Sequence, residues 1–134
     1  MKKWFLILAV ILTINHRGIT QSVDSDTTLC INPAQKAEFQ GGMGAFGKFL
    51  QKNLIYPEAA LRTNATDKIY VEFIVEKDGS ITHIDVLKSV GFGWDEEMIR
   101  FLKLSPKWIP AKDKGKVVRS KYYLSIPCIM LTED

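Results

Sequence analysis

Hydrophobic and polar residues alternate along residues 69–76. In an extended chain, alternate side chains point to opposite sides, so this pattern predicts a strand with one mostly buried face. The residues on that face are Val71, Phe73 and Val75. The following Asp78-Gly79 is typical of a tight turn, and residues 81–88 supply a second strand. The pattern therefore predicts an antiparallel β-hairpin.

Two other segments carry apolar residues at the three- and four-residue spacing of a helix. The first stripe consists of Met43, Phe46, Leu50 and Leu54. Tyr56-Pro57 ends this helix, and Pro57 can open a further short turn through Ala60. The second helix begins near Trp94, has acidic residues in its first turn and stops before Pro106. Its core stripe is predicted to be Trp94, Met98, Phe101 and Leu102.

A long strand over residues 117–131 completes the prediction of an α+β fold, a three-stranded antiparallel sheet with two helices packed on one face. Such a sheet has two edges with unpaired N–H and C=O groups. The final strand is a candidate edge, because Arg119 and Lys121 discourage indiscriminate pairing. Pro127 lacks an N–H and fits an edge or a bulge, although it can also mark only a local bend.

The N-terminus has the pattern of an export signal. Lys2 and Lys3 precede an apolar run over residues 4–14, and small residues follow at Gly18 and Thr20. The run is shorter than the roughly 20 residues that span a bilayer. We predict a signal peptide over residues 1–20 and a periplasmic location; a retained short anchor, associated with the inner membrane, is the alternative.

Export changes the interpretation of charge. Three of the 18 Lys and Arg residues and none of the 15 Asp and Glu residues precede Gln21, so the exported chain is balanced. The basic cluster around residues 112–121 is interpreted as a solvated turn rather than as a nucleic-acid site. Residues 21–36 are polar and lack periodicity, which predicts a flexible lead before one domain over residues 37–134.

Catalytic and metal chemistry find little support. After cleavage the chain keeps one histidine, His83, and two distant cysteines, Cys30 and Cys128. They form no short metal-binding pair, and a Cys128–His83 dyad lacks a third group to orient the imidazole. We predict no enzyme activity, no catalytic residue, no metal and no cofactor. Cys30 and Cys128 can form a disulfide or stay free thiols, and both alternatives remain open.

The order of these motifs, from Phe39-Gln40-Gly41-Gly42 through Tyr56-Pro57 and the Asp78-Gly79 turn to the final strand, resembles the C-terminal domain of TonB energy transducers of the Bacteroidota type. The resemblance implies a periplasmic domain that captures an extended segment of outer-membrane TonB-dependent receptors by strand addition. Transferred by position, it implies partner contacts on a motif and on the final strand: Asn53, Tyr56 and Pro57, then Ser120, Tyr122, Leu124, Ile126 and Cys128.

Two alternatives stay open beside this function. The chain can be a membrane-anchored transducer subunit that works with a proton channel similar to ExbB-ExbD, or an envelope scaffold without a receptor partner. An edge strand can also pair with its own copy, so a homodimer is a further expectation.

Overall fold

The computed structural model describes residues 27–62 and 67–128, and it confirms the α+β class. The elements in chain order are β1 (Leu29–Cys30), α1 (Gly42–Asn53), α2 (Glu58–Leu61), β2 (Lys68–Val75), β3 (Ile81–Lys88), α3 (Trp94–Lys103), β4 (Ala111–Asp113) and β5 (Lys116–Pro127). The short α2 is the helical turn expected after Pro57. No helix in these described ranges is long and apolar enough to cross a membrane.

The sheet has the order β1-β5-β2-β3, and β4 pairs with the beginning of β5. Strand β2 lies antiparallel to both β3 and β5, as the predicted three-stranded sheet requires. The predicted number of strands was too low, because β1 and β4 also pair with β5, β1 in parallel and β4 antiparallel. Strands of two or three residues are too short to show a period in the sequence, so the alternation could not predict them.

The core lies between the sheet and the helices. The inward residues of β2 are at most 1% exposed: Ile69, Val71, Phe73 and Val75. The stripe of α3 is equally buried and confirms the prediction: Trp94, Met98, Phe101 and Leu102. In α1 the predicted stripe is only partly right, because Phe46 is buried but Met43 is 57% exposed. Phe49 packs against the core from a position that the predicted stripe omitted.

Trp108 stands at the centre of an aromatic cluster. Its ring lies 4.8 Å from Tyr122 and 5.3 Å from Phe73, measured between centroids. The backbone N–H of Trp108 donates to the carbonyl of Gly79 at 2.8 Å, and Gly79 has a φ of +86°. A Cβ at Gly79 would lie 2.1 Å from the Trp108 carbonyl oxygen. The β2–β3 turn therefore requires glycine both for its backbone angle and for this close approach.

Part of the predicted flexible lead is paired with the rest of the fold. Strand β1 pairs with Arg119 and Ser120, and Gln35 exchanges two backbone hydrogen bonds of 2.9 Å with Lys112. Main-chain pairing needs no apolar side chains, so a polar segment can be held in this way without a sequence signal. Residues 1–26, with the predicted signal peptide and the start of the lead, lie outside the described residues.

The two cysteines are both free thiols. Cys30 pairs with Ser120, and Cys128 lies eight residues after Ser120 along the extended chain. At 3.3 Å per residue the separation is about 26 Å, whereas a disulfide needs Cα atoms within about 7 Å. The bridge is therefore not formed. Burial raises the pKa of the Cys128 thiol, which is 3% exposed.

Candidate functional site

The second half of β5 has one open side. On its other side it pairs with β2 over eight consecutive positions, from Ser120 with Val75 to Pro127 with Lys68. On the open side, β1 covers only Arg119 and Ser120. No other strand among residues 27–62 and 67–128 pairs with residues 121–127 on that side. This open edge of β5, residues 121–127, is the candidate functional site.

The register shows which backbone groups face the open edge. The N–H of Cys128 donates to the carbonyl of Asp67 at 2.8 Å, so Cys128 directs its backbone groups toward the β2 side. In an antiparallel ladder the direction alternates from residue to residue. Because the register has no shift, Lys121, Tyr123 and Ser125 present both N–H and C=O to the open edge. Pro127 falls in the same set, where its missing N–H leaves no ladder bond unmade.

The predicted partner-binding residues of β5 belong to the opposite set. Their side chains face the core, and their backbone groups face β2: Ser120, Tyr122, Leu124, Ile126 and Cys128. Four of them are buried, and Tyr122 is partly buried with its pKa raised by burial. Partner contact through these five residues stays a prediction, and the geometry favours their odd-numbered neighbours. Tyr123, which the prediction omitted, is 58% exposed.

The cations near the open edge are bonded across the sheet. Lys121 Nζ lies 2.9 Å from a carboxylate oxygen of Glu72, which raises the pKa of Lys121. Arg119 donates to both oxygens of Glu76, at 2.6 and 3.0 Å, and these bonds lower the pKa of Glu76. Arg119 also donates to the carbonyl of Thr27 at 2.7 Å. These cations thus fasten β5 to β2 and to the segment before β1.

The sheet has a second edge at β3, and this edge is irregular. The pairing of β2 with β3 shifts its register twice, between Tyr70 and Val71 and between Glu72 and Ile74. His83 has a φ of 50°, a left-handed conformation that side chains other than glycine rarely adopt. Bulges of this kind disrupt the ladder and twist an edge away from incoming strands. The open edge of β5 is the regular one.

The remaining predicted residues lie on the link between α1 and α2, which α3 holds in place. Glu97 of α3, 9% exposed, accepts a hydrogen bond of 2.6 Å from the N–H of Ile55. Arg100 donates to both Glu97 oxygens, at 2.6 and 2.7 Å, and to the carbonyl of Asn53 at 2.8 Å. The Tyr56 ring packs edge-on against Trp94 at 5.2 Å. The link is therefore fixed by a buried carboxylate and an aromatic contact.

The electrostatics of Glu97 follow from these bonds. Burial alone would raise the pKa of its carboxyl, but the hydrogen bonds from Arg100 and from the Ile55 N–H outweigh burial and hold the pKa below its usual value. Glu97 is thus a charged group at neutral pH and fixes residues 53–57 as a hydrogen-bond acceptor. Sequence reasoning placed Glu97 only in the acidic first turn of the helix and missed this contact, which joins residues more than 40 positions apart.

The described residues hold no group of three or more side chains that could bind a metal ion. His83 is exposed, and its ring contacts the neighbouring Thr82 hydroxyl at 3.1 Å. What the site offers is main-chain hydrogen bonding at a sheet edge.

A comparison with protein families gave one match. The model of the Gram-negative bacterial TonB protein C-terminal family matches residues 52–127. This range includes the end of α1, the α1–α2 link and β5, which carry all the predicted site residues except Cys128. Neither the curated proteins nor the solved structures gave a match.

Proposed function

We infer, from the premise that this chain belongs to the TonB C-terminal domain family, that it captures an extended peptide of an outer-membrane TonB-dependent receptor by adding it as a strand to β5. The family serves energy-coupled transport across the outer membrane, where its domain acts in the envelope as an interaction module. The proposal adds the partner, the edge and the mode of binding to this family role. It includes export to the periplasm through residues 1–20.

One observation carries the proposal: a regular open edge on which Lys121, Tyr123 and Ser125 direct their N–H and C=O groups to the same side. In strand addition, main-chain hydrogen bonds supply affinity, and neighbouring side chains supply specificity. The β3 edge fits this role less well, because its two register shifts break the spacing of donors and acceptors.

The experiment is a proline substitution at Tyr123. Tyr123→Pro removes an N–H that points to the open edge and leaves the N–H groups bonded to β2 in place. We expect binding of synthetic peptides copied from receptor N-terminal segments to fall at least about tenfold, while circular dichroism stays unchanged. Calorimetric titration measures the affinity.

Tyr123→Thr is the matched control, because it removes the ring but keeps the N–H and suits a strand. Binding should survive in this variant with a smaller loss. Undiminished binding in Tyr123→Pro would show that the edge is not used. Concentration-dependent dimerisation that peptide does not displace would mean that a second copy occupies the edge instead.

A further inference from the structure

We propose that a cleft at the end of the open edge nearest β1 binds the terminal paired residue of the captured strand, and that this residue carries a carboxylate; the proposal rests on the proposed function. The cleft has a volume of about 340 Å³. One side is formed by residues 120–123 of β5, and the other by the segment that follows β1. Ile31, Pro33 and Lys36 belong to that segment, which we call the wall.

The wall is held by hydrogen bonds before its first residue and near its last. Before it, β1 pairs with Arg119 and Ser120, and Arg119 donates to the Thr27 carbonyl. Within it, Gln35 exchanges two backbone hydrogen bonds with Lys112. Since main-chain bonds hold the segment on either side of the cleft, the cleft is a built feature of the fold.

The position of the cleft limits the register of an added strand. A peptide that pairs with Tyr123 and Lys121 cannot continue to Arg119, because β1 already occupies the outer side of that residue. The end of the peptide therefore meets the wall, and its last side chain lies beside the cleft. We infer that a captured segment pairs within residues 121–127 and stops there.

The chemistry of the lining selects the side chain. The residues that line the cleft include two lysines, Lys36 and Lys121, and no carboxylate. Lys121 is bonded to Glu72, whereas Lys36 is exposed and has no ion-pair partner in the described part of the chain. Ile31, 71% exposed, adds an apolar surface at the mouth. A glutamate fits this combination, with its methylene groups against Ile31 and its carboxylate toward Lys36.

The register is tested by residue-resolved amide exchange on the whole chain, with and without a saturating receptor peptide. We expect new protection at Lys121, Tyr123 and Ser125 and unchanged exchange at Cys30 and Arg119. Protection that spreads to Arg119 while Cys30 loses protection would show that β1 is displaced, and it would overturn the register stop. No new protection anywhere in β5 would overturn the proposed function itself.

The charge preference is tested with paired peptides that carry Glu or Gln at either end of the pairing segment. Lys36→Gln should lower the affinity for the preferred Glu peptide about three- to fivefold and change the affinity for the matching Gln peptide by less than about twofold. Lys103→Gln, which removes an exposed cation from α3, is the matched control and should change neither peptide. Equal losses for Glu and Gln peptides, or none, would overturn the carboxylate preference, while continued protection of β5 would keep the proposed function intact.

Discussion

The two edges of the sheet differ in regularity. The open edge of β5 backs onto a ladder with β2 that runs over eight positions without a shift. The β3 edge backs onto a ladder with two shifts and contains His83 in a left-handed conformation. Both strands flank the same β2, so the central strand does not account for the difference.

The contrast explains how a domain can accept one strand without aggregating at both sides. A bulged edge offers donors and acceptors at uneven spacing, which disfavours an added strand, whereas a regular edge offers them at an even repeat. Even the regular edge is limited, because β1 covers Arg119 and Ser120 at one end and Pro127 lacks an N–H at the other. The open edge is therefore short on a strand of 12 residues.

The largest effect is expected from a comparison of the two sides of β5. Leu124 is 8% exposed and directs its N–H toward β2, so Leu124→Pro should destabilise the fold by at least about 3 kcal/mol. Tyr123→Pro should cost clearly less, because its N–H points to the open edge. Chemical denaturation measures both free energies of unfolding. Equal losses in the two variants would mean that the assigned alternation of backbone directions is wrong.

A smaller effect is expected where the open edge ends. Arg119→Gln removes the two hydrogen bonds to Glu76 and the hydrogen bond to the Thr27 carbonyl. The side chains of Arg119 and Glu76 are each about one-fifth exposed. We expect a lower free energy of unfolding in chemical denaturation and faster amide exchange at Cys30. Arg62→Gln is the matched control, because the Arg62–Glu58 pair is about four-fifths exposed and should contribute little. Unchanged exchange at Cys30 would contradict an anchoring role for Arg119.

The same contact predicts a pH dependence. The folded-state pKa of Glu76 is lowered from its ordinary value of 4.5, so its contribution to stability is complete above that pH and is lost as the pH falls through the lowered value. Protection of Cys30 should therefore decline on acidification below about pH 4.5. Arg119→Gln should flatten this decline, and a decline of the same size in both proteins would assign it to other groups.

Much of the fold could be predicted because its larger elements have clear periods. The alternation in β2 and the stripe of α3 correspond directly to buried faces. Strand β1 escaped prediction because its pairing is made by main-chain groups, which leave no pattern in the side chains. The predicted burial of Met43 was wrong for another reason. Helical spacing shows that residues share a face, but not how far along the helix the core covers that face.

For the candidate site, the sequence predicted the strand, and partner contact through the residues named on it stays a prediction. The resemblance implied a partner-binding strand over residues 120–128 and, on it, contacts at Ser120, Tyr122, Leu124, Ile126 and Cys128. These residues face the core, and the chain itself held a signal for the other set. Pro127 has no N–H to donate, so its backbone is expected to face the side of β5 without a partner strand. Backbone direction alternates along a strand, so Ser125, Tyr123 and Lys121 face the same side as Pro127. The wall depends on a long-range arrangement that no local pattern encodes.

The smallest effect is expected at the β3 edge. His83 has a φ of 50°, which glycine adopts without strain, so His83→Gly should stabilise the fold by about 0.5–1 kcal/mol. Asp85→Gly, at an exposed β3 position without a positive φ, is the control and should destabilise it by a similar amount. Peptide capture should be unchanged in both, because the proposed site lies on β5. Destabilisation of equal size in the two variants would show that His83 carries no backbone strain, and weaker capture in either would show that the bulged edge also takes part in binding.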